Sequence, residues 1–332
     1  MPKGQLDRAF AAFKGSKRMT TDATSLDAQA PANTTRKRES GASIFDAYVM
    51  SRLARPARRN RILTERLTEP LHLNIASAFV ALFGSFRAKV DHDLIIRQQF
   101  AFPILHAADK ARELGLDSLT IVEFGVANGA GLLNICKIAT SVTRATGVKF
   151  RVVGFDTGKG LPAAVDYRDH PEMFQQNDFP MDVERLKAAL PPFAELVIGD
   201  VAETVPGFVS TLSPASPLGF VSMDLDYYSS TKPALEIFRG PAQNYLPAVL
   251  LYLDDTVIET ANPWCGELLA VNEFNAENAT RKIAPFPMLR MRRLFKNSRW
   301  IEQIQLMHVF DHPARTPRID RASHVIPNEY AR

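Results

Sequence analysis

The sequence predicts an α/β fold, a doubly wound and mostly parallel seven-stranded sheet behind an N-terminal helical cover. Three observations carry that prediction. Between residues 119 and 255, short apolar runs alternate with helix-length segments, the pattern of a sheet built by crossovers. Every one of those runs ends in a glycine loop or an aspartate, as strands do when their carboxyl ends open into a site. The stretch 219–256, GFVSMDLDYYSSTKPALEIFRGPAQNYLPAVLLYLDDT, holds two such runs around one helix. Strand, helix, strand brings both strand ends to one edge of a parallel sheet, so Asp224, Asp226, Asp254 and Asp255 are expected on a single rim.

Each element follows from the chain in order. Residues 1–42 form a polar, basic segment with one short apolar stripe (Leu6, Phe10, Phe13), read as flexible. Residues 43–117 are the helical cover. In it Pro103 starts or kinks a helix and Gly115 is placed as a C-cap. The Arg-rich run SRLARPARRNRILTER has no aromatic interleaving or nucleic-acid motif, so it reads as a solvated face and nucleic acid is not an expected partner. Strands are expected at 120–126, 150–156, 194–200, 220–223 and 249–253. Helices fill 132–144, 182–190, 229–239 and 265–278, and two last strands fall at 288–294 and 303–310. The domain of residues 118–312 is followed by a tail, 313–332. The loop 157–181 is long enough inside a compact domain to be a lid or a substrate wall.

Bulk properties exclude several classes. The 332 residues are 46% hydrophobic and 23% charged, with a net charge of +4, ordinary for a soluble globular chain. Cys136 and Cys265 lie far apart and have no metal-ligand spacing partner, so two buried thiols are expected rather than a disulfide framework. No run is long enough to span a bilayer and the N-terminus has no secretory h-region. A cytoplasmic protein without a membrane partner is the default expectation.

The motifs narrow the chemistry. Glu123-Phe124-Gly125-Val126-Ala127-Asn128-Gly129-Ala130-Gly131 places glycines two, six and eight residues after an acid. Glycines let the chain turn tightly and let a ligand approach the backbone, or they serve a purely structural turn. The spacing is not that of dinucleotide binders and suits a nucleoside without a pyrophosphate. Asp156, ending the second strand, is placed to accept ribose hydroxyls, and Asp200, ending the third, to meet an adenine amino group. Each alone also reads as a helix N-cap or a turn former. Asp224, Asp254 and Asp255 offer three oxygens to a hard divalent cation. With no His or Cys at hand, Mg²⁺ fits better than zinc. Asp226 follows Asp224 at the strand period and is left as a base.

Together these residues resemble the macrocin O-methyltransferase-like family, metal-dependent class I S-adenosylmethionine (SAM) methyltransferases with a Rossmann-like fold that tailor natural products. The resemblance covers about 119–278 and rests on VEFGVANGAG, FDTGKGLP, VIGDVAETVP, MDLDYYSSTKPALE and LDDT. It implies SAM and Mg²⁺ as cofactors. Glu123, Gly125, Val126, Ala127, Asn128, Gly129 and Gly131 would line the methionine and ribose, with Asp156 on the ribose, Asp200 by the adenine, and Asp224 at the cofactor as well as the metal. The metal would be held by Asp224, Asp254 and Asp255, and Asp226 would be the general base toward a small-molecule hydroxyl, often on a sugar. The chain departs from the family pattern at Leu225, where glycine is usual, at Thr256, where an aromatic residue is common, and at Lys159 in the TGKGLP loop. A metal-dependent nucleotide-sugar glycosyltransferase and a non-catalytic scaffold are the alternative readings. Apolar N-terminal helices make a homodimer a reasonable partner state.

Overall fold

The computed structural model describes residues 64–315. The N-terminal segment 1–42, most of the basic run after it and nearly all of the tail from 313 onward lie outside the described residues. From residue 71 the chain forms α1 (Leu71–Phe83), α2 (Phe86–Asp91), α3 (Gln98–Glu113), β1 (Ser118–Phe124), α4 (Ala130–Thr146) and β2 (Lys149–Asp156). After the long loop come α5 (Val183–Ala189), β3 (Ala194–Ile198), α6 (Val201–Val209), β4 (Leu218–Met223) and α7 (Tyr228–Ala234). The rest is β5 (Tyr245–Leu253), α8 (Gly266–Glu277), β6 (Arg281–Pro285), α9 (Leu289–Arg292) and β7 (Ile304–Val309).

The sheet has seven strands in the order β3-β2-β1-β4-β5-β7-β6. β7 pairs antiparallel with both β5 and β6, and every other pair is parallel. This is the expected doubly wound, Rossmann-like sheet, with its reversal of strand order between β1 and β4.

The period of two along each strand divides the core between two faces. Ile121, Val152, Phe220, Leu250 and Leu306 pack toward α3 and α4, while their neighbours Val122, Val153, Val221, Leu251 and Met307 pack toward α6, α7 and α8. α3 ends as the sequence requires. Gly115 sits at φ +72, and Gly115 and Leu116 return their N–H groups to the carbonyls of Arg112 and Ala111 at 3.0 and 2.9 Å, satisfying carbonyls that the helix leaves open. Pro103 lies inside α3 rather than at its start.

One strand expectation is corrected. Residues 288–294 are not a strand: they carry the short helix α9, and the outermost strand is β6 at Arg281–Pro285. The sequence RKIAP carries two charges and a proline, which an edge strand with one neighbour tolerates. The helix α6 between β3 and β4 was also not anticipated. Both cysteines are free; Cys136 is buried, as expected, whereas Cys265 is only half-buried. α1 leaves Leu71, Ile75, Phe79, Leu82 and Phe83 exposed. Among the described residues, no helix is long and apolar enough to cross a membrane.

Candidate active site

Register places the site. Phe124 lies opposite both Phe155 and Met223, and Met223 lies opposite Leu253. The next residue of each strand therefore reaches the same rim, and these are Gly125, Asp156, Asp224 and Asp254. Asp224 donates its N–H to the Phe124 carbonyl at 3.1 Å, and Gly125 donates to Phe155 at 3.0 Å. The end of β1, where the glycine loop begins, is thus bonded to β2 on one side and to the acidic end of β4 on the other.

The glycines of that loop are closed up against protein rather than left bare. A Cβ on Gly125 would stand 1.8 Å from the Asp224 carbonyl oxygen, one on Gly129 would stand 2.3 Å from Leu186, and one on Gly131 would stand 2.0 Å from Glu123 Oε1. Gly125 and Gly129 also hold φ of +80 and +83, which only glycine adopts at low cost. Between them Ala127, at φ +49, donates its N–H to Asp156 Oδ2 at 2.8 Å, and Asn128 Oδ1 accepts from Ala130 at 3.2 Å. Val126 is buried. The close-approach role expected of these glycines therefore belongs first to packing.

The three acids on this side differ. Glu123 is 3% exposed and burial pushes its carboxyl up to about 8, with Arg97 pulling it down and Asp156 pushing it up. Its Oε2 has no hydrogen-bond partner. Burial also raises the Asp156 carboxyl, against the backbone N–H groups of Ala127, Gly158 and Val126. Gly158 reaches Asp156 Oδ1 at 2.7 Å. A carboxylate has about four acceptor positions, so Asp156, with three backbone donors, keeps capacity for about one more. Asp200 is exposed and caps α6 through the Ala202 N–H at 2.8 Å, the capping role that the sequence left open.

The acids on the other side converge as expected. Burial, then the carboxylates of Asp254, Asp226 and Asp255, drive the Asp224 carboxyl well above the usual range, with Arg97 opposing them. Carboxylate oxygens of Asp224, Asp226 and Asp255 lie within 4.8 Å of one another. Asp226 sits at φ +61 in the middle of a tight turn closed by the Tyr227 N–H on the Leu225 carbonyl at 2.6 Å. That conformation is uncommon and strained for a non-glycine residue. The geometry gathers Asp226 into the trio, while Asp254 is engaged by its neighbours. Asp254 Oδ1 accepts from the Tyr252 hydroxyl and, at 3.4 Å, from Gln303 Nε2.

A trio of carboxylate oxygens is a hard donor set suited to Mg²⁺ or Ca²⁺. Adjacent oxygens around Mg²⁺ at 2.0–2.1 Å stand about 2.9 Å apart and opposite ones about 4.2 Å, so a trio within 4.8 Å is gathered on the scale of such a shell. The residues present fit the cation.

Five further residues shape the site without a signal in the sequence. Arg97, at φ +59 before α3, brings positive charge to Glu123 and Asp224. Glu267, at the start of α8, accepts the Asp255 N–H at 3.1 Å. Asp169, fully buried in the long loop, accepts from Ser229 N and Oγ at 2.8 Å each and from Val165 N at 2.8 Å. His170 follows it, bonded through Nδ1 to Glu172 at 3.1 Å, and its ring packs beneath Gly266. Phe174 meets Tyr227 edge-on at 6.0 Å. The long loop is therefore fastened to the start of α7, just beyond the acidic strand end.

No family model matches the chain and no curated protein matches it. Solved structures do. The calicheamicin methyltransferase CalS11 is 18% identical with a TM-score of 0.42, over 86% of this chain and 99% of that one. The O-methyltransferase NovP is 17% identical with a TM-score of 0.43, over 64% and 79%. The O-methyltransferase TomG from Streptomyces achromogenes is 15% identical with a TM-score of 0.34, over 71% and 96%. At that distance the likeness carries no functional weight, and function is argued from the residues of the site.

Proposed function

We propose that this protein is a Mg²⁺-dependent O-methyltransferase that moves a methyl group from SAM to a hydroxyl of a small molecule. The observation that carries the reading is the contact between its two halves. The Asp224 N–H is bonded to Phe124, the residue from which the glycine loop springs, Gly125 packs on the Asp224 carbonyl, and Asp224, Asp226 and Asp255 meet within 4.8 Å. A donor bound along β1 and β2 then lies beside an acceptor held at β4 and β5, and such positioning contributes up to roughly 7–11 kcal/mol in well-oriented reactions.

Asp156 would accept from a ribose hydroxyl through its remaining acceptor position, Asp200 would lie by the adenine, and Glu123 would stand behind the loop. Asp224 and Asp255 would hold the cation, with Asp226 beside them and Asp254 fixed in reserve by Tyr252 and Gln303. The cation, when bound, supplies a Lewis acid that lowers the pKa of the acceptor hydroxyl. Asp226 would take the hydroxyl proton through a carboxylate oxygen, its strained turn aiming it at the rim. The sugar or related natural-product acceptor is the class that the motif resemblance implies.

Calorimetric titration of EDTA-stripped protein with SAM, before and after adding Mg²⁺, tests the reading. SAM binding, together with a cation site lost in Asp255→Ala, is the expected result. Absence of SAM binding under both conditions would overturn it.

A further inference from the structure

Glu267 has no place in the chemistry above, and its surroundings are unusual. It is the second residue of α8 and only 2% exposed. One oxygen, Oε2, accepts the N–H of Asp255 at 3.1 Å, and the other, Oε1, has no hydrogen-bond partner. The charged groups that bear on it are Asp255, Asp254 and Asp224, all acidic. An acid in the first turn of a helix ordinarily sits at the surface, where the helix dipole favours it modestly. Here the side chain is turned inward, and a buried carboxylate facing other carboxylates is costly unless a cation answers them.

The backbone explains the placement. After β5 the chain enters a 3₁₀ turn, Asp254–Val257, in which two adjacent aspartates face different partners. Asp254 is held through its carboxylate by Tyr252 and through its carbonyl by Gln303 Nε2 at 2.7 Å. Asp255 has its backbone held by Glu267, and its own carboxylate reaches Asp224 and Asp226. Rotating the Asp255 peptide away from Glu267 would carry that carboxylate out of the trio.

We propose that Glu267 is a positioning residue of the cation site, fixing the Asp255 backbone so that its carboxylate joins Asp224 and Asp226. The inference rests on the cation site of the proposed function. Its test separates the acceptor oxygen from packing and charge. Glu267→Gln keeps an oxygen for the Asp255 N–H and removes the charge. Glu267→Met fills a similar volume and removes the acceptor.

The readout is Mn²⁺ affinity of the full chain by electron paramagnetic resonance, with SAM affinity and thermal unfolding in EDTA measured alongside. E267M is expected to bind Mn²⁺ about 10–100-fold more weakly, the usual range for partners that orient metal ligands. E267Q is expected to stay within about threefold of the parent, and SAM affinity to hold in both. Parent-like Mn²⁺ affinity in E267M overturns the inference and leaves the cation site standing. Equal losses in E267M and E267Q also overturn it, since charge rather than the acceptor oxygen would then matter. Absence of Mn²⁺ binding by the parent protein overturns the cation site and the role of Glu267 together.

Discussion

Alanine at Gly125 tests how tightly the two halves of the site are joined. The new Cβ would stand 1.8 Å from the Asp224 carbonyl oxygen, so β4 must retreat by more than about 1 Å to restore an ordinary contact. The φ of +80 at that position adds about 1–2 kcal/mol for any residue with a Cβ. Gly115 supplies the control, because it has φ +72 and nothing within 4 Å of its Cβ position. Gly115→Ala therefore carries the dihedral cost alone, about 1–2 kcal/mol. Gly125→Ala carries that cost plus the collision, about 3 kcal/mol or more by analogy with overpacked cores. For a domain of this size each kcal/mol lowers Tm by about 2–4 °C. Scanning calorimetry is expected to give a drop of a few degrees for G115A and of about 6 °C or more for G125A. Mn²⁺ titration should weaken only in G125A, because Asp224 moves with its carbonyl. Equal Tm shifts and unchanged Mn²⁺ affinity in the two variants would refute the reasoning.

Three more expectations follow from the site. Asp226→Asn keeps the shape of the tight turn and removes the proposed base, so turnover is expected to fall by about 10²–10⁴-fold while SAM affinity is retained; full turnover would remove Asp226 from that role. The Glu123 carboxyl, raised from 4.5 to about 8 by burial, is protonated in the folded chain where the unfolded chain is ionised. Its contribution to stability is complete below about pH 4.5 and is lost as pH rises to about 8, a swing on the order of 5 kcal/mol. Against Glu123→Gln, the parent should lose stability across that window in parallel thermal scans, and matching pH profiles would contradict this. Asp169→Asn replaces an acceptor facing the Val165 N–H, Ser229 N–H and Ser229 hydroxyl with a group that is half donor, costing about 1–3 kcal/mol. Hydrogen exchange at Val165 and Ser229 should accelerate, and unchanged protection would count against the anchor.

The sheet was legible because its strands announce themselves twice, by apolar runs and by the acids at their ends. Parallel strands buried on both faces have no polar side to blur the pattern, which is why β1, β2, β4 and β5 fell where expected. β6 did not, because an edge strand with one partner can carry Arg281, Lys282 and Pro285, whereas 288–294 alternates well and still folds as a short helix. In the site, the convergence of Asp224, Asp226, Asp254 and Asp255 was readable from spacing alone. Which aspartate turns toward which partner was not, since that depends on Tyr252 and Gln303, which come together only in the folded sheet. Glu267 and Asp169 were hidden for another reason. A glutamate at a helix start and an aspartate in a polar loop are commonplace in sequence, and only their burial sets them apart.

Asp169 also constrains how the site opens. The long loop is pinned near its middle by three bonds to one carboxylate, and its ends pair with each other, the Leu161 N–H donating to the Asp178 carbonyl and the Asn177 N–H to the Leu161 carbonyl, each at 2.9 Å. At about 1.5–3 kcal/mol for each bond to a charged group, a swing of the whole loop as one flap would occupy on the order of one molecule in a thousand or fewer. Movement of this loop is therefore left to the shorter arms on either side of the pin, and under the proposed function side-chain changes in those arms would retune which acceptors enter without disturbing the acidic strand end.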